Sequence, residues 1–425
     1  MHSAVHDTIA AVWRAESAGI VAVVMRRVRD LGVAEELAQD ALVAALERWP
    51  LDGLPRNPAA WLMTTAKNRA LDHLRHRQMA DQREGELALD MQAWQTDHTP
   101  DFVDALGEAM QTHIGDDLLR LMFTACHPLL SADARVALTL KLFGGLTTHE
   151  IARAFLVSEP TIAQRIVRAK RALRDARVPF EVPSGPALTE RLASVLESVY
   201  LIFNAGYTAA RGEEGTRADL CQEAQRLGLL LTHIAPNESE VFGLLALMHI
   251  QASRLAARTD AHGRPVLLAD QDRNLWDAPL IEQGLAALAV AQRLAPDPGP
   301  YQLQAAIAAC HARAARAEHT DWAQMVALYD RLAQVAPSPV VTLNRAVAIS
   351  MSQGPQAALP CVDALLADGA LAEYPWFWAV RGDLLARMGR QPEAAQAVRQ
   401  AAALTDNTAE RDLLLERASI LSAPS

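Results

Sequence analysis

The chain has 425 residues and a mass of 46.1 kDa, with 51% apolar and 21% charged residues. That composition excludes the disordered and collagen-like classes, and the length suggests two or three domains. The net charge of −10 argues at first against a nucleic-acid partner, although its distribution points the other way. Ala and Leu dominate while aromatics make up 5%, which points to an all-α protein. No run of 18 apolar residues occurs, so no membrane span is expected. The N-terminus, Met1-His2-Ser3-Ala4-Val5-His6-Asp7, lacks the basic and apolar segments of a signal peptide. Cys126, Cys221, Cys310 and Cys361 lie far apart, which fits a reducing cytoplasm better than a disulfide framework or a zinc site.

Charge is segregated along the chain. Residues 186–425 sum to −7 and residues 78–118 to −9, so the rest of the first 185 residues carries +6. Most of that lies between Arg56 and Arg77 and between Arg153 and Arg177. Two basic patches split by an acidic connector suit a two-point nucleic-acid binder; two solvated helix faces would look the same by charge alone.

Residues 8–77 read as helices. Apolar positions at 34, 37/38, 41/42 and 45 place one buried face on a helix around Val33–Leu46. Trp49-Pro50 and the segment Asp52–Pro58 read as a turn-rich loop. A new helix then starts with Asn57 as its N-cap and Pro58 in its first position, and runs to about Arg77. Met63, Ala66, Ala70 and Leu74 form its inner stripe; Asn68, Asp72 and Arg75 share another face, flanked by Lys67 and Arg69.

Residues 78–117 are acidic, with a weak pattern, and read as a partly helical or flexible linker. The helical pattern returns at 118 and closes at Gly144-Gly145. Thr147-Thr148-His149-Glu150 is a capping box opening a helix that buries Ile151, Ala154 and Phe155. After a short turn, Ser158 caps a second helix with Glu159 and Pro160 in its first turn. Its inner stripe is Ile162, Ile166, Ala169 and Leu173, and its outer stripe is Thr161, Gln164, Arg165, Arg168 and Arg171. Two helices joined by so short a turn, the second basic, make a helix-turn-helix or, more blandly, a structural hairpin. Arg and Gln on the outer stripe have the forked donors that read base edges in a major groove.

Pro179, Pro183, Gly185 and Pro186 mark a boundary. Beyond it, breaks recur at Ala235-Pro236, Ala295-Pro296, Ala336-Pro337 and Tyr374-Pro375, the last three near the period of helix-pair repeats. Residues 341–349 and 356–366, then 376–388 and 393–404, read as two such pairs turning at Gly354 and Gly389. A helical solenoid of this kind offers a concave surface to a protein or peptide.

The first 180 residues resemble a sigma factor of the extracytoplasmic-function class of the sigma-70 family. The resemblance rests on three motifs: Ala34–Leu42, Asn57–Arg75 and residues 147–174. It sets region 2 at 1–77, an acidic linker at 78–117 and region 4 at 118–180. Residues 187–425 resemble the tetratricopeptide-like extension of one sigma-factor group, through Tyr200–Tyr207 and Asp270–Asp277.

The resemblance implies a protein that directs core RNA polymerase to promoters, with no chemistry or cofactor of its own. Its partners are the polymerase (largest-subunit clamp and flap region), promoter DNA and a protein bound by the repeat, with no membrane. Glu36, Gln39, Asp40 and Leu42 match the polymerase-docking helix, Leu42 being equally readable as core. Asn57, Lys67, Asn68, Arg69, Asp72 and Arg75 fall to the −10 element, with the loop Leu51–Asn57. Bases flipped there need a pocket and the strand needs cations. Asn68 and Arg75 are the strongest contacts, Asp72 orients a neighbouring arginine or touches DNA, and Trp61 is core rather than a stacking platform. Thr161, Gln164, Arg165 and Arg168 fall to the −35 element, with Lys170 and Arg171 nearer phosphates. Asp270, Asp272 and Asp277 read as a salt-bridged loop around Arg273 and Trp276, or as a cation site. A helix-turn-helix regulator with a repeat sensor and a plain interaction scaffold are the rival readings; neither needs the Asn57–Arg75 helix.

Overall fold

The computed structural model describes residues 2–81, 106–155, 157–209, 218–260, 266–369, 371–405 and 408–422, and every regular element among them is a helix. The chain divides into two compact units: Met1–Gly206 with Gln222–Pro236, and Tyr207–Cys221 with Asn237–Ser425.

The first unit begins with α1 (His2–Val28), α2 (Leu31–Asp52) and α3 (Pro58–Asp81), which pack on one another. Within α1, Thr8–Val28 is long and apolar enough by length and composition to cross a membrane, with a mean hydropathy of 1.4. The apolar count expected no such segment. Its Ile9, Ile20, Val21, Ala22, Val24 and Met25 are buried, so this is the central helix of the unit, apolar because neighbours surround it. Asp30 caps α2 by accepting from the Gly32 and Val33 amides, and Ala34, Leu37, Ala38, Ala41 and Ala45 form the buried stripe.

The loop expected from Trp49-Pro50 starts later than its proline suggested. α2 continues through Pro50 to Asp52, and Gly53 closes it at φ +87°, its amide donating to Trp49 O at 3.0 Å. Trp49 is buried edge-on to Trp61 of α3, with ring centroids 5.4 Å apart. That packing offsets the missing Pro50 hydrogen bond. Asn57 caps α3 through Ala60 N, as expected.

The acidic stretch is helical where it is described. α3 reaches Asp81, and α4 (Leu106–Ala125) starts well before residue 118; the expectation for 82–105 lies outside the described residues. In α4, Asp117 is 1% exposed and held by Arg120 at 2.6 Å and by Arg26 of α1 at 3.4 Å. Next come α5 (Ala132–Leu142), α6 (Thr148–Ala154) and α7 (Glu159–Asp175). The capping box forms: Thr147 N donates to Glu150 at 2.7 Å, and Glu150 N to Thr147 Oγ1 at 3.2 Å. The Thr147 amide, foremost, holds the Glu150 carboxyl below its usual range. Ile151 is buried and Phe155 half-buried; the side chain of Ala154 lies outside the described residues. Ser158 stands at the α7 N-cap without a side-chain bond to the backbone; its hydroxyl meets Thr161 Oγ1 at 2.7 Å instead. Ile162, Ile166, Ala169 and Leu173 are buried.

Two more helices, α8 (Pro186–Ala209) and α9 (Ala218–Ile234), supply residues to this unit. Arg135 of α5 is buried; its guanidinium donates to Ser194 Oγ and reaches Glu197 of α8 at 2.6 Å. Ser194 Oγ donates onward to Cys126 O at 2.6 Å. On α9, Arg226 donates to Phe143 O at the end of α5.

The second unit holds α10 (Ser239–Ala252), α11 (Ala278–Leu294), α12 (Pro300–Arg313), α13 (Trp322–Val335), α14 (Pro339–Gln353), α15 (Pro355–Ala367), α16 (Pro375–Arg387), α17 (Gln391–Leu404) and α18 (Thr408–Ser422). Successive helices pack on one another, the tetratricopeptide-like pattern that the Pro spacing implied. Small residues set the closest approaches. A Cβ on Gly243 would stand 2.7 Å from Gln302 N, and one on Gly382 2.6 Å from Val398 Cγ2. Glu240 accepts from the Tyr301 and Gln302 amides at 2.8 and 3.0 Å, stitching α10 to the start of α12.

Ser194→Ala strips a hydroxyl from between Arg135 and Cys126 O. It is expected to cost about 1–3 kcal/mol in the denaturant transition followed by circular dichroism; a cost near zero would show the α5–α8 junction to be incidental.

Candidate nucleic-acid and polymerase interface

On α3, Asn68, Asp72 and Arg75 are exposed along one face, and Lys67 and Arg69 are half-buried beside it. Arg75 Nη1 lies 3.6 Å from Asp72 Oδ1, an ion pair within one turn of the helix. Both ends are well exposed, and the pair is worth little in itself. Arg69 reaches back to Asp40 of α2 at 3.4 Å, joining a residue expected at the −10 element to one expected at the polymerase. Asn57 is exposed at the α3 cap, and Trp61 is half-buried against Trp49.

On α2, Glu36 and Gln39 are exposed, and Leu42 is half-buried. Gln39 Nε2 donates to Glu35 at 3.3 Å. Two apolar residues that the sequence reading left out stand beside them, Val43 at 50% exposed and Leu46 at 37%; in the segment already assigned to the −10 element, Leu51 is 84% and Leu54 45% exposed. Their sequence signal is apolar residues off the 34/37/41/45 stripe. A surface of that kind suits a protein groove for α2 and unstacked bases for the loop.

On α7, Thr161 is half-buried, and Gln164, Arg168 and Arg171 are exposed. Among the described residues Arg168 forms no ion pair, which leaves its guanidinium to solvent. Arg171 meets Asp175 at 3.3 Å. Arg165 and Lys170 are engaged within the protein: Arg165 lies 3.1 Å from Asp133 of α5, and Lys170 Nζ 2.6 Å from Glu35 Oε2 of α2. The Lys170–Glu35 contact is shielded, with side-chain exposures of 22% and 10%, and it is an ionic contact more than an aligned hydrogen bond. The residue pattern alone did not indicate that α7 would meet α2, because Glu35 and Lys170 lie far apart in the chain.

Three family models match the chain: Sigma-70 region 2 over residues 5–79, Sigma-70 region 4 over 120–173, and a family of unknown function, DUF6596, over 191–293. An uncharacterized protein of Rhizobium meliloti, R00370, is 47% identical over 91% of this chain and 89% of its own length. The ECF RNA polymerase sigma factor SigK of Mycobacterium tuberculosis is 33% identical over 37% of this chain and 78% of its own length. A probable ECF sigma factor of that organism, SigI, is 29% identical over 42% of this chain and 58% of its own.

The Lys170–Glu35 contact is open to a double-mutant cycle. Glu35→Gln and Lys170→Met are each expected to destabilise by about 1–3 kcal/mol, since each strands a shielded charge or donor. The double variant is expected to lose clearly less than the sum, read by chemical denaturation. Strict additivity would mean that the two side chains do not interact in solution.

Proposed function

Because the chain belongs to the extracytoplasmic-function RNA polymerase sigma factors, we propose that it guides core polymerase to promoters by reading a −35 element with α7 and opening a −10 element with α3. Sigma factors are non-enzymatic initiation factors, and RNA synthesis belongs to the polymerase. The observation that carries the reading is the exposed α7 face of Gln164 and Arg168 on a helix whose opposite stripe is buried. Thr161, Gln164, Arg165 and Arg168 face base edges, and Lys170 and Arg171 the phosphates. Asn68 and Arg75 hold the opened strand, with Asn57, Lys67, Arg69 and Asp72 around them. Glu36, Gln39, Asp40 and Leu42 dock on the polymerase clamp, with Val43 and Leu46 extending that face.

Geometry adds a step. Elements at −35 and −10 lie about 25 base pairs apart, roughly 85 Å along the duplex at about 3.4 Å per pair. Here α3 and α7 both pack on α2, far closer than that. Engaging both elements therefore requires α7 to leave α2, freeing Lys170 from Glu35, while Arg165 turns from Asp133 to the DNA. The protein cycles between this closed arrangement and an extended one on the promoter.

The extension regulates the sigma module in cis. Its net charge is −7 and that of the basic stretches is positive, and tethering holds their effective concentration near millimolar. Run-off transcription with core polymerase tests the whole reading. A protein that supports no promoter-specific transcript would fall back to a plain DNA-binding regulator.

Two variants sharpen it. Arg168→Ala is expected to weaken promoter binding of the holoenzyme by about 1–3 kcal/mol at fixed salt; an unchanged affinity removes α7 from the readout. A chain ending at Pro236 keeps all the first unit's residues, whereas one ending near Pro183 strips α8 from Arg135 and confounds regulation with unfolding. The Pro236 form is expected to transcribe at a rate different from full length, and equal activity, polymerase affinity and stability would sink cis regulation.

A further inference from the structure

The segment Asp270–Asp277 has no part in promoter reading, yet it builds an unusual cluster within the second unit. Two short 3-10 turns, Leu268–Asp270 and Arg273–Leu275, carry it to the start of α11. Arg273 and Arg254 both lie over the buried Trp276 ring, their guanidinium carbons 4.7 and 5.8 Å from its centroid. Arg273 donates to His311 O and to Ala314 O, the latter at 2.5 Å, at the end of α12. Arg254 Nη2 donates to Tyr207 Oη at 2.9 Å, and Arg258 stacks on the same tyrosine at 3.7 Å. The imidazole of His311 stands edge-on to Trp322.

Three neighbouring acids are committed elsewhere. Asp272 accepts from Asn274 N, Asp277 caps α11 through Leu280 N, and Asp321 caps α13 through Gln324 N. The expected salt bridge from Asp272 or Asp277 to Arg273 does not form, because the turn carboxylates serve their own helix starts and Arg273 serves the α12 carbonyls. Among the described residues neither Arg254 nor Arg273 has a carboxylate partner. Burial, then the Arg254 and Arg273 charges, push His311 down to about 4, so it is neutral at pH 7. Burial and then the Arg254 charge lower Arg273 as well. Arg254 Nε and Trp276 Nε1 are buried donors without a hydrogen-bond partner.

Capping α12 accounts for Arg273. It does not account for a second guanidinium on the same indole, with a sequestered donor and like charge beside it. Like cations held together this way cost free energy unless an anion joins them. Stacking on Trp276, with the α12 carbonyls for Arg273 and the Tyr207 hydroxyl for Arg254, also fixes both guanidiniums before any ligand arrives, which suits forked recognition of an oxyanion. Two positive charges match a dianion better than a single carboxylate. We propose that Arg254 and Arg273, set on Trp276 beside His311, form a binding site for a phosphate group, taken as inorganic phosphate or as the monoester of a small molecule. The site gives the extension a ligand of its own, whether or not the promoter reading holds.

Calorimetric titration of the full chain with inorganic phosphate, against chloride at equal ionic strength, tests it; a sugar phosphate monoester forms a second arm. Saturable binding in either arm is expected, together with a phosphate-dependent rise in melting temperature. Arg254→Met is expected to weaken that binding about tenfold or more, the loss of one charge-assisted contact. Arg254→Lys keeps the cation and is expected to retain part of it, and Met in place of the exposed Arg316 is expected to leave it unchanged. Tighter binding of the monoester assigns the ligand to a small organic phosphate, and equal binding to the free ion. No binding in either arm, equal binding by wild type and a folded Arg254→Met, or a response that chloride reproduces overturns the site. Circular dichroism of both Arg254 variants separates loss of the site from loss of the fold.

Discussion

A single buried arginine ties α8 to the first unit. Arg135 is almost out of water, and a guanidinium there must find partners or the fold cannot hold it. Ser194 and Glu197 of α8 supply them, and Ser194 passes the chain of bonds to Cys126 O. The α5 helix thus borrows its polar satisfaction from residues beyond the Pro-rich segment that looks like a boundary. Arg226 repeats the arrangement from α9 onto Phe143 O. The segment that matches the family of unknown function, 191–293, therefore begins inside the first unit and supplies hydrogen-bond partners to α5.

Within that unit, residues assigned to separate tasks are bonded to each other. Asp40 faces the polymerase in one assignment and Arg69 the −10 strand in another, yet they pair with one another. Glu35 and Lys170 link α2 to α7. Under the proposed function, a partner that takes one member of such a pair changes the energy of the other, which couples the α2 and α7 surfaces.

Much of this was legible in the sequence. Asn57-Pro58, the Thr147–Glu150 capping box and the Ile162/Ile166/Ala169/Leu173 stripe are local signals, and local bonds realise them. The fold class followed from the same periodicity. The misses share a different physics. Pro50 reads as a helix breaker, but the Trp49–Trp61 contact carries α2 past it. Ser158 reads as a side-chain cap, but Thr161 offers its hydroxyl a nearer partner. Glu35 and Lys170 carry no sign of their pairing because they lie more than a hundred residues apart in the chain, and Arg273 drew the wrong partners for the same reason. Side-chain pairings across tertiary contacts leave no periodic trace, which is why the candidate faces could be placed on helices but not paired from the sequence.

The shielding of Lys170 and Glu35 has a consequence for the response to salt. Contacts with DNA phosphates weaken steeply as ionic strength rises, because binding releases condensed counterions that are then returned to a concentrated bath. An ion pair with 22% and 10% of its side chains exposed is screened much less. In the cycle proposed above, the closed arrangement is therefore the less salt-sensitive of the two. On that proposal, added salt favours the contact of Lys170 with Glu35 over one with phosphate, and ionic strength biases the equilibrium.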